Sequence, residues 1–135
     1  MSTDTPYGLS TRLDLPYDEA VARVRDALAA EGFGVLTEID VKSTFKEKLD
    51  VDFRPYIILG ACNPPLALQA LSAEVDIGLL LPCNVIVYQA DDPDESVVAA
   101  IDPIVQLGVT GNEEVAPLAE EVKSRLVRVL EAIAQ

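Results

Sequence analysis

The stretch Tyr56-Ile57-Ile58-Leu59-Gly60-Ala61-Cys62-Asn63-Pro64-Pro65 contains the transition that decides the fold. Its apolar half predicts a buried strand over 55–61. Asn63 can cap the free backbone donors of a helix, and proline at the first helical position gives up only an amide that would be unpaired. The stretch therefore predicts a strand that is followed directly by a helix over 64–73.

Downstream of this transition the chain alternates between strand and turn signals and then becomes helical. The run 76–89 is rich in β-forming residues and is interrupted at Pro82, because proline cannot donate to a strand ladder. Residues 91–94 predict a turn, and 96–101 predict the returning strand. A terminal amphipathic helix is predicted to begin near Ala116.

Upstream, the same kind of alternation predicts two further strands and two further helices. A first strand is predicted over 7–15, and a helix over 18–31 ends at Gly32, which supplies a left-handed stop. A buried strand follows over 34–39. Asp40 can then cap a short helix in which apolar residues recur every four positions.

Length and composition predict a single domain over 1–135. The chain has 135 residues, of which 50% are hydrophobic and 24% charged, so it can bury a core of its own. Two cysteines do not make a disulfide framework, and 1–6 lacks the features of a secretory signal. We therefore expect a cytoplasmic protein, and no apolar run reaches the roughly 18 residues of a membrane span.

The charge balance excludes the common polyanionic partners. The net charge is −13, from 10 basic and 23 acidic residues. Binding to nucleic acid depends on phosphate neutralisation by clustered Lys and Arg, so we expect no nucleic-acid partner. Anionic membrane surfaces are disfavoured for the same reason.

The two cysteines, Cys62 and Cys83, are the most distinctive candidates for chemistry. Each is followed by asparagine, Asn63 or Asn84, and the chain contains no histidine. The four residues form a candidate ligand or thiol site. A position just before a helix favours a thiolate at Cys62, whereas free cysteines are also common as small apolar fillers in a core.

No metal or cofactor site is predicted. Structural zinc generally needs four Cys or His ligands, and one chain supplies two. Three basic residues, Lys42, Lys46 and Arg54, form a candidate anion-binding patch. The alternative is a solvated face whose charges are paired with neighbouring acids.

Four blocks of the sequence resemble the family known as domain of unknown function 302. They are Gly32-Phe33-Gly34-Val35-Leu36-Thr37-Glu38-Ile39-Asp40-Val41, Tyr56 to Pro64, Gly78-Leu79-Leu80-Leu81-Pro82-Cys83-Asn84-Val85, and Ile101-Asp102-Pro103. The resemblance implies a two-layer α+β fold of the TATA-binding-protein-like class, with a curved, largely antiparallel sheet and helices packed on one face. It also implies self-association, and it implies no reaction.

The antiparallel sheet implied by the resemblance bears on the two cysteines. If strands 55–61 and 76–81 are antiparallel neighbours, Cys62 and Cys83 lie at opposite ends of the sheet; parallel neighbours would bring them together. We expect the antiparallel case, and therefore separated thiols.

These observations favour a non-catalytic, homodimeric module that binds a ligand or a protein partner. The alternative is a thiol-dependent redox or sulfur-handling protein that acts through Cys62. For the dimer we expect a contact at the strand 79–88, because its apolar residues point to both faces of a sheet and one helical layer covers only one face.

Overall fold

The computed structural model describes residues 5–134, which form five strands, five α-helices and one 3-10 helix. In chain order these are β1 Gly8–Leu13, α1 Tyr17–Ala30, β2 Gly34–Asp40, α2 Val41–Leu49, β3 Tyr56–Cys62, α3 Pro64–Ala73, the 3-10 helix Val75–Leu80, β4 Cys83–Gln89, β5 Ser96–Ile101, α4 Pro103–Gly108 and α5 Ala116–Ile133. None of these helices is long and apolar enough to cross a membrane.

The strands form one open sheet in the order β1-β5-β4-β3-β2, and every neighbouring pair is antiparallel. The α+β fold with an antiparallel sheet, predicted from the resemblance, is confirmed. Strands β1 and β2 are the two edges. Strand β2 has a bulge at Leu36, where its register against β3 shifts.

The main core lies between one face of the sheet and helices α1 and α5. Successive side chains of a strand point to opposite faces, so every second residue reaches this core. Val85 and Val87 of β4 are 1% and 0% exposed, and they belong to the same cluster as Leu28 of α1 and Leu126 of α5. We call this side of the sheet the helix face.

Several local signals act as the sequence predicts. Asn63 caps α3 by accepting a hydrogen bond from the Leu66 amide, and Asp40 caps α2 through the Ser43 amide. Gly32 has φ of 84°, a left-handed conformation that side chains other than glycine rarely adopt. Helix α5 begins at Ala116, as predicted.

The predicted strand over 76–89 is wrong in its first half. Residues Val75–Leu80 form a 3-10 helix, and β4 begins only at Cys83, after a cis peptide bond between Leu81 and Pro82. A short apolar run has the same composition in a buried helical turn as in a strand, so its periodicity could not separate the two.

Helix α4 was not predicted, although its start carries the same signal as α3. Asp102 accepts a hydrogen bond from the Ile104 amide, and Pro103 occupies the first turn. The Asp-Pro step therefore repeats the Asn-Pro step of α3. Six residues are too few to show a helical period, and the cap was the only available evidence.

The second face of the sheet is apolar and carries little charge. We call it the open face; its residues on the three central strands are Tyr56, Ile58, Gly60, Cys62, Asn84, Ile86, Tyr88, Val97, Ala99 and Ile101. Within the strand 79–88, where a dimer contact is predicted, Val85 and Val87 are buried on the helix face, whereas Ile86 between them lies on the open face.

Candidate functional site

The largest concave feature near the predicted site residues is a cavity at the end of the sheet, where β3 ends and β4 begins. Its volume is about 340 Å³. We call it the end cavity; residues from seven helices and strands and from the loops between them line it, among them Phe33, Thr37, Cys62, Ala67, Cys83 and Val122. Three of the four residues of the predicted ligand or thiol site lie here: Cys62, Asn63 and Cys83.

The two cysteines lie at the same end of the sheet, which corrects the prediction that they are separated. Ala61 is the register partner of Cys83, so Cys62 lies one residue beyond that pair. The antiparallel pairing was predicted correctly. The error was the start of β4, because a strand that begins at Cys83 places this residue beside the end of β3.

The Cys83 thiol is buried and engaged in a polar network. Its Sγ lies 3.4 Å from Gln106 Oε1, to which it donates, and Gln106 Nε2 donates to the carbonyl oxygens of Leu80 and Pro82. Burial raises the pKa of Cys83 to about 11, with a smaller contribution from neighbouring Cys62 and an opposing one from the Gln106 hydrogen bond. The thiol is therefore protonated at neutral pH.

Cys62 is half-buried and, within the described part of the chain, forms no hydrogen bond through its side chain. Burial raises the pKa of its thiol as well. The helix that follows Cys62 was expected to lower the pKa of its thiol and to favour the thiolate. Removal of the side chain from solvent acts in the opposite direction. Neither cysteine has the electropositive surroundings of a reactive thiol.

Asn63 is a structural residue at the wall of the end cavity. It is 8% exposed; its Oδ1 accepts from the Leu66 amide, and its Nδ2 donates to the Gly32 carbonyl over 3.2 Å. Both polar atoms of its side chain are occupied. The residue joins the start of α3 to the turn between α1 and β2.

Asn84, the fourth predicted site residue, lies away from the end cavity. It is on the open face, exposed, and lines a separate groove of about 280 Å³ with Tyr7, Ile86, Tyr88 and Ala99. The Cys-Asn repeat therefore does not produce two equivalent sites, because one asparagine caps a helix and the other is an ordinary strand residue.

Two of the three residues of the predicted anion patch, Lys46 and Arg54, have acidic partners. Lys46 Nζ lies 3.0 Å from Asp50 Oδ1 and 3.4 Å from Asp52 Oδ1. Arg54 contacts Asp91, donates to the Gln89 carbonyl and lies over the Tyr88 ring. Lys42 is exposed on α2. The arrangement matches the alternative interpretation, a solvated face with paired charges.

Sequence reasoning missed two polar residues of this region. Gln106 was missed because α4 was missed. Thr37 comes to the cavity because of the bulge in β2, and it packs closely on Gly60, where a Cβ atom would lie 2.0 Å from Thr37 Oγ1. Because Gly60 has no side chain, Thr37 of β2 and Pro82 can both approach β3 closely beside the end cavity. A bulge has no reliable sequence signal.

The described residues contain no cluster of three or more His, Cys, Asp or Glu side chains that could hold a metal ion. Cys62 and Cys83 both line the end cavity, and no carboxylate lines it with them. The arrangement offers an apolar enclosure with two protonated thiols, a hydroxyl and an amide, which suits binding more than bond cleavage.

Comparison with known proteins identifies the family. The model for "Domain of unknown function DUF302" matches residues 9–133. The chain belongs to the DUF302 family. A solved structure, an uncharacterized conserved DUF302 protein from Bacillus stearothermophilus, is 27% identical, with a TM-score of 0.87, over 96% of this chain and 99% of the other. No curated protein matches the chain, so the site geometry of this DUF302 chain supplies the functional argument.

Proposed function

We propose that this DUF302 chain is a non-catalytic, cytosolic module that binds a small molecule in the end cavity. The observation that carries the proposal is a half-open cavity of about 340 Å³ lined mainly by apolar side chains. Ligand pockets typically measure about 300–1,000 Å³ and have apolar walls with a few polar groups. The end cavity fits both criteria.

A binding role is favoured over catalysis by the state of the candidate groups. The chain has no histidine that could act as a base near neutral pH. Burial raises the pKa of both thiols, which disfavours the nucleophilic thiolate at neutral pH. The net charge of −13 argues against a nucleic-acid partner.

A fragment screen tests the binding role. Amide NMR spectra would be recorded with small neutral, anionic and cationic fragments, and we expect at least one class to shift residues of α3 and the start of β4. A matched pair of variants locates the effect: Ala67→Phe fills the cavity, whereas Leu68→Phe changes the next, 67% exposed position of the same helix. A library that shifts no cavity residue would overturn the proposal.

The second candidate function is thiol chemistry through Cys62, and the register of β3 and β4 is the observation in its favour. Two thiols at one cavity could exchange redox equivalents if one of them were a thiolate. The measurement is the rate of native-state alkylation by iodoacetamide. We expect Cys62 to react more slowly than a free cysteine at the same pH; a faster reaction would favour thiol chemistry.

We further propose that the protein is a homodimer that pairs through the open face. The central strands of this face carry apolar and aromatic side chains, and two arginines beside it have acidic partners: Arg12 pairs with Glu95, and Arg54, which lies over the Tyr88 ring, pairs with Asp91. Two copies that each carry −13 repel one another unless they meet on a surface whose charges are compensated. The open face satisfies that condition, and pairing would cover its apolar side chains.

Light scattering at low micromolar concentration tests this assembly. We expect a dimeric mass for the native chain, a monomeric mass for Ile86→Asp, and a dimeric mass for the control Val109→Asp, whose side chain is 74% exposed elsewhere. A monomeric native chain would contradict the dimer. A folded Ile86→Asp variant that stays dimeric would place the contact on another surface.

A further inference from the structure

The wall of the end cavity carries no charged residue, although the chain contains 23 acidic and 10 basic residues. From this pattern we infer the class of ligand: an uncharged, mainly apolar molecule with a single hydroxyl or carbonyl group. The inference rests on the proposed binding function, and it specifies the ligand chemistry that the cavity accepts.

Charged ligands are disfavoured by the missing counter-charges. An ionised group that leaves water loses its hydration, and a buried charge is stable only when it is paired or fully hydrogen-bonded. No Lys or Arg of the lining can pair with a carboxylate, and no Asp or Glu of the lining can pair with an ammonium group. The net charge of −13 adds repulsion against anions.

The polar groups of the wall set the number of polar contacts that a ligand can make. Both side-chain atoms of Asn63 are occupied, and the Cys83 thiol donates to Gln106. Within the described chain, the Thr37 hydroxyl and the Cys62 thiol are the lining polar side chains that form no hydrogen bond. Thr37 is an exposed residue of edge strand β2 and can both donate and accept, so one hydroxyl or carbonyl of a ligand has a partner at the mouth of the cavity.

A set of three eight-carbon probes tests the inference at neutral pH: 1-octanol, octanoate and octylammonium. They share the apolar chain and differ in the charge of the head group. Binding would be followed by amide NMR titration of the native protein, with the cavity-filling variant Ala67→Phe and the control Leu68→Phe. Thermal unfolding of both variants would verify that each one folds.

We expect 1-octanol to shift residues of the end cavity and to bind at least about tenfold more tightly than either ion, because no lining residue supplies a counter-charge for an ionised head group that loses water on entry. Ala67→Phe should weaken octanol binding about tenfold or more, and Leu68→Phe should leave it unchanged. Thr37→Val, which keeps the shape and removes the hydroxyl, should weaken octanol binding by a factor of about 2–10.

The outcomes separate the ligand class from the binding function. If octanoate or octylammonium binds in the cavity as tightly as octanol, the ligand class is wrong and the binding function stands. If none of the three probes binds, but another fragment shifts the cavity residues, the ligand class is again wrong. If neither the probes nor the fragments bind to a folded protein, both proposals are overturned.

Discussion

The end cavity and the open face are both apolar, and they differ in shape and in the side chains around them. The end cavity is a half-open space lined by residues from β2, β3, β4 and several helices, and it carries two thiols whose pKa is raised by burial. The open face is a strand surface with small and aromatic side chains and a groove of about 280 Å³. The comparison teaches that apolar character alone does not specify a role: a cavity built by many elements suits a small molecule, and one side of a sheet suits a second copy.

The sharpest contrast lies between neighbouring residues of β4. Val87 is fully buried on the helix face, whereas Ile86 is half-buried on the open face. We expect Val87→Asp to destabilise the protein by about 4 kcal/mol or more, because it buries an unpaired carboxylate in the core. Ile86→Asp should cost a monomer clearly less, about 1–2 kcal/mol, because the side chain is only partly buried and its carboxylate can reach water. Urea unfolding followed by circular dichroism measures both; equal losses would mean that the two faces are equally buried.

The next largest expected effect is a loss of folding stability at high pH that is caused by Cys83. Its folded pKa of about 11 lies above the ordinary value of 9.0, so the folded state favours the protonated thiol. The corresponding stability is fully present below pH 9 and is lost as the pH rises toward 11, a change of about 2–3 kcal/mol. Unfolding measured across this window should therefore depend less steeply on pH in Cys83→Ala than in the native chain.

Cys62→Ala is the matched variant for that pH experiment. Cys62 is less buried, so its removal should flatten the pH dependence by less than the removal of Cys83. If the two variants change the pH dependence equally, the two thiols are desolvated to a similar degree, and the deeper burial of Cys83 would be contradicted.

The sequence predicted the strand-to-helix transition at Asn63 because the cap and the proline are local signals, and both act within four residues. It could not predict that Cys62 and Cys83 lie at the same end of the sheet. That juxtaposition depends on where β4 begins, and the choice between a strand and a 3-10 helix over 75–80 is made by tertiary packing of Ile77 rather than by local preference.

Only the conspicuous residues of the candidate site were predicted from the sequence. Cysteine and asparagine are conspicuous in a sequence, so Cys62, Asn63 and Cys83 were singled out, and all three line the end cavity. The remaining wall consists of ordinary apolar residues from distant segments. Residues such as Phe33 and Val122 look like any other core positions until the fold brings them together.

A smaller difference in folding stability is expected between variants of two helix caps. Asn63 is buried at the cavity wall and also donates to the Gly32 carbonyl, whereas Asp40 caps α2 at an exposed position. We expect Asn63→Ala to cost about 1–2 kcal/mol and Asp40→Ala about 0.5–1 kcal/mol. Thermal unfolding would rank them, and a larger loss for Asp40→Ala would contradict the structural role of Asn63.

The most direct test of the account is diffraction from crystals of the native protein under xenon pressure. Apolar cavities that contain no ordered water bind xenon, whereas polar ones are filled by water. We predict a xenon atom in the end cavity, near Cys62 and Cys83, and none in that cavity in crystals of Ala67→Phe. A native end cavity that is filled by ordered water, or collapsed so that no xenon enters, would contradict the central claim that this DUF302 fold contains a preformed apolar binding site.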